Sequence, residues 1–372
     1  MARLDLPMAE GRNLLINPFV FDDIRKELED FLCDCEGMNN LDFVKRILFN
    51  LEIKSNNTVE GINDDLQFIE SVIKDADNIK DSEKRRRVIN LYNGYRFILR
   101  NKIIDKEHLK SLYGILSDGL LSLEDSTRMG EYYREAPVYI LKSGRLDLVP
   151  DQGLSSDVID YYMDKYFAFV DSSVEGTPTD YFIKSQIMHF YFVYIHPYFD
   201  VNGRTSRTLA MWYLLNEKAY PYIIFNRAIN FASSNYDRTI RNSKERRDVS
   251  SFIKFMMENV KKELEKEMIM GQIKQSTSEK MTAMDFQALN YLLSMNGEIN
   301  VLNFATLYRD KNGFKKVKEI YEEVLRPLIE KDILLVTRTT KKHMFDSFDN
   351  EVLKINPKKY DGDNPKIRCL KL

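Results

Sequence analysis

The sequence predicts a mainly α-helical protein with one β-hairpin and a small α+β unit towards its C-terminal end. Three observations carry that expectation. Apolar residues recur at three- and four-residue spacing over most of the first 270 positions. Gly and Pro are sparse, at 15 and 10 of 372 residues, which favours helices. Beyond about residue 281, short helical and strand-like runs follow one another.

Taken in order, Phe21, Ile24, Leu28 and Phe31, then Phe43, Ile47, Leu48 and Leu51, keep helical spacing. With RRRVINLYNGYRFILR (85–100) and HLKSLYGILSDGLL (108–121), they make the first 120 residues read as all-helical, with no strand demanded. EYYREAPVYILKSGRLDLVP (131–150) offers two β-prone runs around KSGR and reads as a hairpin. DYFIKSQIMHFYFVYI (180–195) is apolar on nearly every side, as a buried central helix is. RTSRTLAMWYLLNEK (204–218) is helical again. KKELEKE (261–267) mixes both charge signs and reads as a solvated helix face. GQIKQSTSEKM (271–281) is polar and unpatterned, a linker. Residues 284–295, 302–310 and 316–332 read as three short helices, the last bent at Pro327, and ILLVTR and the residues near HMFDSF as strands. The expected division is 1–109, an N-terminal helical region; 110–270, a central core; 271–280, a linker; and 281–372, a unit whose element order resembles a winged-helix domain.

Composition bounds the function. Lys and Arg number 55 against 57 Asp and Glu, so no net field holds the molecule on nucleic acid or acidic lipid. Cys33, Cys35 and Cys369 cannot all pair and lack zinc-ligand spacing. No stretch approaches 18 uninterrupted apolar residues, so no membrane partner is expected. A reducing, cytoplasmic location fits these features.

One string carries chemistry. HPYFDVNGRTSR (196–207) lies between two apolar helices and runs into the second. A glycine-containing turn entering a helix offers unpaired N–H groups and the positive end of a dipole, a natural seat for phosphate. Arg204 and Arg207, three apart, share a helix face and suit bidentate phosphate contact. Asp200 is a hard oxygen ligand suited to Mg²⁺ on a polyphosphate. His196 is the group able to take a proton near neutral pH. Singly, each of these residues is more often structural; together they are hard to explain by structure alone. His189, seven residues earlier, reads as a hydrogen-bonded core histidine.

The string resembles the Fic family signature HPFx(D/E)GNGRxxR, matched at His196, Pro197, Asp200, Asn202, Gly203, Arg204 and Arg207, and preceded by Phe192 and Ile195 of the family's FxxIHP pattern. GEYYRE (130–135) and NYDRTI (235–240) extend the likeness over roughly residues 110–260. The resemblance implies a helical Fic-type bundle that transfers AMP from ATP to a Ser, Thr or Tyr hydroxyl of a protein. His196 would deprotonate that hydroxyl. Asp200 would hold Mg²⁺; Asn202, the Gly203 backbone and Arg204 would cradle phosphates, and Arg207 would reach the γ-phosphate. Tyr236 would lie near the adenine. The hairpin, about Val138 to Val149 and so including Tyr139 and Ile140, would be a flap that aligns the target by strand addition. Self-modification and a homo-oligomer belong to the same expectation. Two positions depart from the family: Tyr198 replaces phenylalanine, and Val201 replaces the first glycine of GNGR, where a β-branched side chain resists positive φ.

Upstream, Glu60-Gly61 resembles the family's inhibitory (S/T)xxxE(G/N) motif, with Asn56 at the Ser/Thr position, where it would serve as a helix N-cap. Glu60 would pair with Arg207 and hold the γ-phosphate position. In the C-terminal unit, Lys315, Lys316, Lys318, Arg338, Lys341 and Lys342 would line a nucleic-acid surface if it is a winged helix. The alternative reading of the whole chain is therefore a weakly catalytic nucleotide sensor that regulates DNA through that unit.

Overall fold

The structure is a computed structural model that describes residues 2–33, 44, 48–62, 64, 66–75, 82–140, 151–230, 233–277, 281–294, 298–312, 316–338 and 351–359. It is mainly helical with small antiparallel sheets. Two compact units divide it, Met1–Val260 and Lys261–Leu372.

The first unit opens with two strands that the helical reading of the first 120 residues did not contain. β1 (Ala2–Pro7) and β2 (Asn13–Ile16) pair antiparallel, with Ala2 opposite Ile16 and Pro7 opposite Asn13. Their turn uses the left-handed conformations of Glu10 (φ 63°) and Gly11 (φ 68°). The alternation that buries Leu6, Leu14 and Ile16 is a strand period in runs too short to stand out beside the long helical pattern.

α1 (Asp22–Leu32) buries Leu28 and Phe31 as its spacing predicts. A π turn (Leu48–Glu52) leads into α2 (Ile53–Val59), and α3 (Leu66–Lys74) follows. α4 (Glu83–Arg100) and α5 (Lys106–Ser117) are capped by Ser82 and Asp105, whose side chains accept the N–H groups of Arg85 and His108. α6 (Leu123–Thr127) precedes β3 (Tyr139–Ile140) and β4 (Asp151–Gln152), which pair antiparallel at the base of the expected flap. The rest of that hairpin, 141–150, lies outside the described residues.

α7 (Ile159–Asp171), α8 (Pro178–Ile195) and α9 (Asn202–Asn216) form the centre. α8 buries Phe182, Met188, Phe190, Tyr191, Phe192 and Ile195, residues from every side of the helix. At its N-terminus the Asp180 carboxylate accepts the Thr177 N–H (2.9 Å) and pairs with Arg25 (2.9 Å). α9 packs along α8, and Trp212 Nε1 ties it to the Asn101 carbonyl after α4 (2.8 Å). α10 (Phe225–Asn230), α11 (Ser233–Arg246) and α12 (Ser250–Ser276) follow. α12 runs through 271–276, so the linker expectation is corrected there. Ile273 is fully buried, and one apolar anchor on a helix face outweighs the polar composition around it. The KKELEKE run is corrected too: Lys261, Glu263, Glu265, Lys266 and Glu267 are buried rather than solvated. Opposite charges along the helix permit this, with Lys266 2.6 Å from Glu263 and Lys261 3.6 Å from Glu265.

In the second unit, α13 (Ala283–Ser294) is followed by β5 (Glu298–Asn300) and α14 (Val301–Asn312). α15 (Val317–Ile320) then passes through a π turn (Tyr321–Leu325) into α16 (Arg326–Glu330), one continuous helical run in which Pro327 lies just after the π turn. β6 (Leu334–Arg338) and β7 (Val352–Ile355) complete an antiparallel sheet of order β5-β7-β6. Leu289, Leu292, Phe304, Ile320, Leu328 and Leu353 share its core. β6 is the expected ILLVTR strand, whereas β5 and β7 were not foreseen, and the residues near HMFDSF lie outside the described ones. Among the described residues, no helix is long and apolar enough to cross a membrane.

Because the Asp180 carboxylate fixes both the first turn of α8 and Arg25 of α1, Asp180→Ala is expected to lower stability by about 1–2 kcal/mol. Urea unfolding followed by circular dichroism measures this.

Candidate active site

The string 196–207 folds as a turn bracketed by two left-handed residues. His196 closes α8 (φ 54°, ψ 60°), and Val201 precedes α9 (φ 65°, ψ 9°). His196 is held by a residue that the motif does not contain. Arg134, 1% exposed, donates from Nε to the His196 carbonyl (3.0 Å), from one terminal nitrogen to Ala136 (2.7 Å) and from the other to Leu154 (2.5 Å). Its own N–H reaches the Pro197 carbonyl (3.0 Å). Burial lowers its pKa from the usual arginine value. One guanidinium thus fixes the backbone at His196 and both chain segments flanking the β3–β4 pair. Gly153 completes the packing, since a Cβ there would come 2.9 Å from Val138 and 3.5 Å from the His196 Cβ.

Burial pushes the His196 imidazole down to about 4; the Val193 backbone opposes this and the Arg134 charge adds to it. The ring is therefore neutral at physiological pH, the form that accepts a proton.

The N-terminus of α9 has no side-chain cap. Asn202 spends its amide elsewhere, accepting from the Tyr198 N–H (3.0 Å) and donating to the Tyr198 carbonyl (2.8 Å). It clamps the turn, which leaves the first N–H groups of α9, at Asn202, Gly203 and Arg204, as the anion-directed donors. Asp200 is exposed, and one carboxylate oxygen accepts the Val201 N–H (2.6 Å). Among the described residues, no group of three or more His, Cys, Asp or Glu residues could hold a metal. A single free carboxylate oxygen beside a phosphate seat fits Mg²⁺, which takes most of its ligands from water and phosphate. Tyr198, buried, stacks on Tyr113 with centroids 3.5 Å apart. Its hydroxyl finds no hydrogen-bond partner among the described residues, so the extra oxygen relative to phenylalanine is an uncompensated polar group.

Arg207 is buried with Glu60 against it: Oε1 lies 2.5 Å from a terminal guanidinium nitrogen. Oε1 also lies 2.5 Å from where a Cβ on Gly203 would stand, so the carboxylate rests directly on the first turn of α9. Partial burial raises the Glu60 pKa, but the Arg207 charge and hydrogen bond, with Arg204 and His196 behind them, bring it below the usual carboxylate value. Burial lowers the Arg207 pKa, and Glu60 more than reverses this. Arg204 is 5% exposed, and its Nε and one terminal nitrogen have no partner among the described residues; burial lowers its pKa, against the opposing charges of Glu60 and Asp200.

Two sequence assignments change here. Asn56 is not an N-cap but sits inside α2, fully buried, with Oδ1 accepting from Arg207 Nε (2.9 Å) and from a terminal nitrogen (2.8 Å). The Ser/Thr pattern gave the right residue and the wrong partner. Gly61 follows the end of α2 with φ 78°, where only a residue without Cβ sits unstrained. Tyr236 is 5% exposed, and its hydroxyl is shared between His189 Nε2 (2.8 Å) and the Arg207 side chain, so it packs against Arg207 rather than offering an open ring. His189 is the core histidine expected, with burial pushing its pKa down to about 3. Sequence reasoning missed Arg134 and Tyr95. The GEYYRE likeness pointed at the first, and nothing local marked the second. Of the flap residues, Tyr139 and Ile140 pair with Gln152 and Asp151, close in sequence to Gly153, which packs on His196.

Residues 103–214 match the model of the Fic/DOC family, which supports a Fic family protein. A search of the curated proteins finds no match. Among solved structures, the fold is similar to that of a Fic family protein from Desulfovibrio desulfuricans G20, at 16% identity and TM-score 0.57, over 92% of this chain and 97% of that one. It is also similar to Fic-1 from C. elegans, at 14% identity and TM-score 0.52, over 69% and 73% of the two chains. A form of that protein with one glutamate changed to glycine matches at 16% identity and TM-score 0.51, over 70% and 76%.

Val201 is 3% exposed, so its packing offsets a left-handed backbone that costs a β-branched residue about 1–2 kcal/mol. Val201→Gly is accordingly expected to be at least as stable as Val201→Ala, an inversion of the usual order by about 1 kcal/mol; thermal melts of the two variants decide it. Glu60, with its folded pKa depressed, adds stability in full above its unfolded pKa and loses it as pH falls through the lower, folded one. Glu60→Gln should therefore flatten the acid limb of the stability profile below about pH 4.5, measured by urea unfolding at stepped pH.

Proposed function

We propose that this chain is a Fic-type protein adenylyltransferase held in a resting state by Glu60. The observation that carries the reading is the placement of the Glu60 carboxylate between Arg207 and the first turn of α9, where an anion is favoured by a guanidinium and by free backbone N–H groups. A carboxylate there is a stand-in for a terminal phosphate.

In the active state, a triphosphate replaces that carboxylate. The α9 N–H groups and Arg204 neutralise its inner phosphates, and Arg207 holds the γ-phosphate. Asp200 would supply the protein oxygen that holds Mg²⁺, which would neutralise phosphate charge there. The β3–β4 hairpin presents a target segment as an added strand. The neutral His196 ring takes the proton of a Ser, Thr or Tyr hydroxyl as its oxygen bonds to the α-phosphorus. The bond from that phosphorus to the bridging oxygen breaks, and pyrophosphate leaves with the electron pair. Alignment and charge neutralisation carry most of the rate, because His196 with a pKa of about 4 is a weak base until substrate changes its surroundings.

The second unit supports a narrower reading. Its order of helix, strand, two helical segments and two strands, with β7 central in the sheet, resembles that of a winged helix and supports that reading. Within α15, the π turn and α16, Lys318 and Arg326 are matched by Glu319, Glu322, Glu323 and Glu330, and Arg326 pairs with Glu322 at 2.8 Å. Such a face suits a protein partner better than DNA. Lys315, Lys341 and Lys342, which the nucleic-acid reading needs, lie outside the described residues. Salt-sensitive retention of a duplex by the full chain, without transfer activity, would favour the DNA-binding sensor instead.

Labelled ATP with Mg²⁺ and intact-mass detection tests the main reading. Glu60→Gly should raise AMP incorporation, into the protein itself or an added target, by at least ~10-fold, the scale of one displaced ion pair. His196→Ala in that background should abolish incorporation while leaving nucleotide binding within a few-fold. An unchanged rate in the first variant removes the brake; joint loss of binding and transfer in the second makes His196 structural.

A further inference from the structure

We propose that α2 acts on Arg207 in two opposite senses, with Asn56, aligned by Tyr95, serving as a positioning residue that keeps the guanidinium ready for a terminal phosphate. This rests on the functional reading above and extends it to residues that reading does not use.

Asn56 and Glu60 lie one helical turn apart and face the same guanidinium, yet they differ in what they do to its charge. Glu60 neutralises it and competes with phosphate. Asn56 offers a neutral carbonyl that accepts from Nε (2.9 Å) and a terminal nitrogen (2.8 Å), with its own backbone oxygen at 3.4 Å from the same nitrogen. It fixes the geometry and leaves the positive charge available. Arginine has many rotamers, and ordering it only when a ligand arrives weakens that ligand's binding. Asn56 removes that cost in advance.

A terminal amide presents oxygen on one side and an NH₂ group on the other, and only the oxygen side attracts a guanidinium. Here the choice is made by Tyr95 of α4. Its hydroxyl, fully buried, accepts from Asn56 Nδ2 at 3.0 Å. Burial raises the Tyr95 pKa, so the hydroxyl stays neutral. With Nδ2 engaged there, Oδ1 has to face Arg207. The line Tyr95–Asn56–Arg207 thus runs from α4 through α2 to α9, and none of its first two members belongs to the 196–207 string.

The consequence is that removing Glu60 and disturbing α2 have different outcomes. In the Glu60→Gly background, Asn56→Ala should weaken ATP binding about 10-fold and ADP binding no more than about twofold, because only ATP carries the phosphate that Arg207 meets. Tyr95→Phe, which keeps the ring packing, should weaken ATP about threefold with the same selectivity. Calorimetric titration with each nucleotide reads both. Equal losses for ATP and ADP, or no loss of ATP affinity, would overturn the proposal and leave Asn56 as packing. A second arm needs no nucleotide. The Arg207 Nε–H resonance should be protected from solvent exchange in the unaltered chain, and the protection should be lost in Asn56→Ala and reduced in Tyr95→Phe. Unchanged protection in Asn56→Ala also overturns the proposal. If Glu60→Gly alone binds neither nucleotide, the functional reading fails, and the resonance arm still decides whether Asn56 and Tyr95 hold the guanidinium.

Discussion

A guanidinium buried to 1% exposure is the constraint on which the rest of the first unit depends. A cation removed from water needs acceptors in fixed places, and Arg207 takes them from α2, a helix 150 residues earlier in the chain. That requirement brings α2 against α9, places a carboxylate on the first turn of α9, and gives Tyr95 on α4 a polar partner in an apolar setting. The ion pair contributes less through its own net energy than through the arrangement it imposes, since its attraction is largely offset by desolvation of both charges.

The second constraint is on the backbone. Both ends of the turn are left-handed at residues with a Cβ, His196 and Val201, and such conformations persist only where neighbours over-determine them. Arg134 does this from one side with four hydrogen bonds to carbonyl oxygens, one of them from its own backbone, and Asn202 from the other by closing on both polar atoms of the Tyr198 backbone. The side chains that look reactive in the sequence therefore split into two kinds. His196, Asp200, Arg204 and Arg207 are those the proposed function uses, whereas Asn202 closes the turn on Tyr198, and Tyr236 contacts His189 and Arg207.

Much of this was legible in the residues. The helical class, the buried α8 and the loop before α9 follow from periodicity, whereas the Glu60 contact with Arg207, 147 residues apart, was expected only through the likeness of Glu60-Gly61 to the family's inhibitory motif. What was not legible depended on length or distance. The β1–β2 pair is too short for its alternation to compete with a helical pattern, and β5 and β7 are only three and four residues long. KKELEKE was misread because charge mixing signals solvent exposure in a lone helix, whereas pairing along the helix lets the same residues be buried. Asn56 was misread because a sequence shows who can cap a helix but not where the helix begins. The family pattern at 196–207 carried the site, and residues 103–214 carry the family match; the GEYYRE likeness marked the segment of Arg134 without its role, which rests on carbonyl contacts, and Tyr95 acts through an amide on another helix.

The close approach of Glu60 to Gly203 bears on how such a protein can drift. In a phosphate-binding turn, glycine is usually explained by the bulk of the ligand. Here a carbon placed on residue 203 would stand 2.5 Å from Glu60 Oε1, so the tip of that side chain would have to shift. On the proposed function, the latch and the nucleotide would favour the same small residue at one position, so loss of either alone would still leave a reason for glycine there.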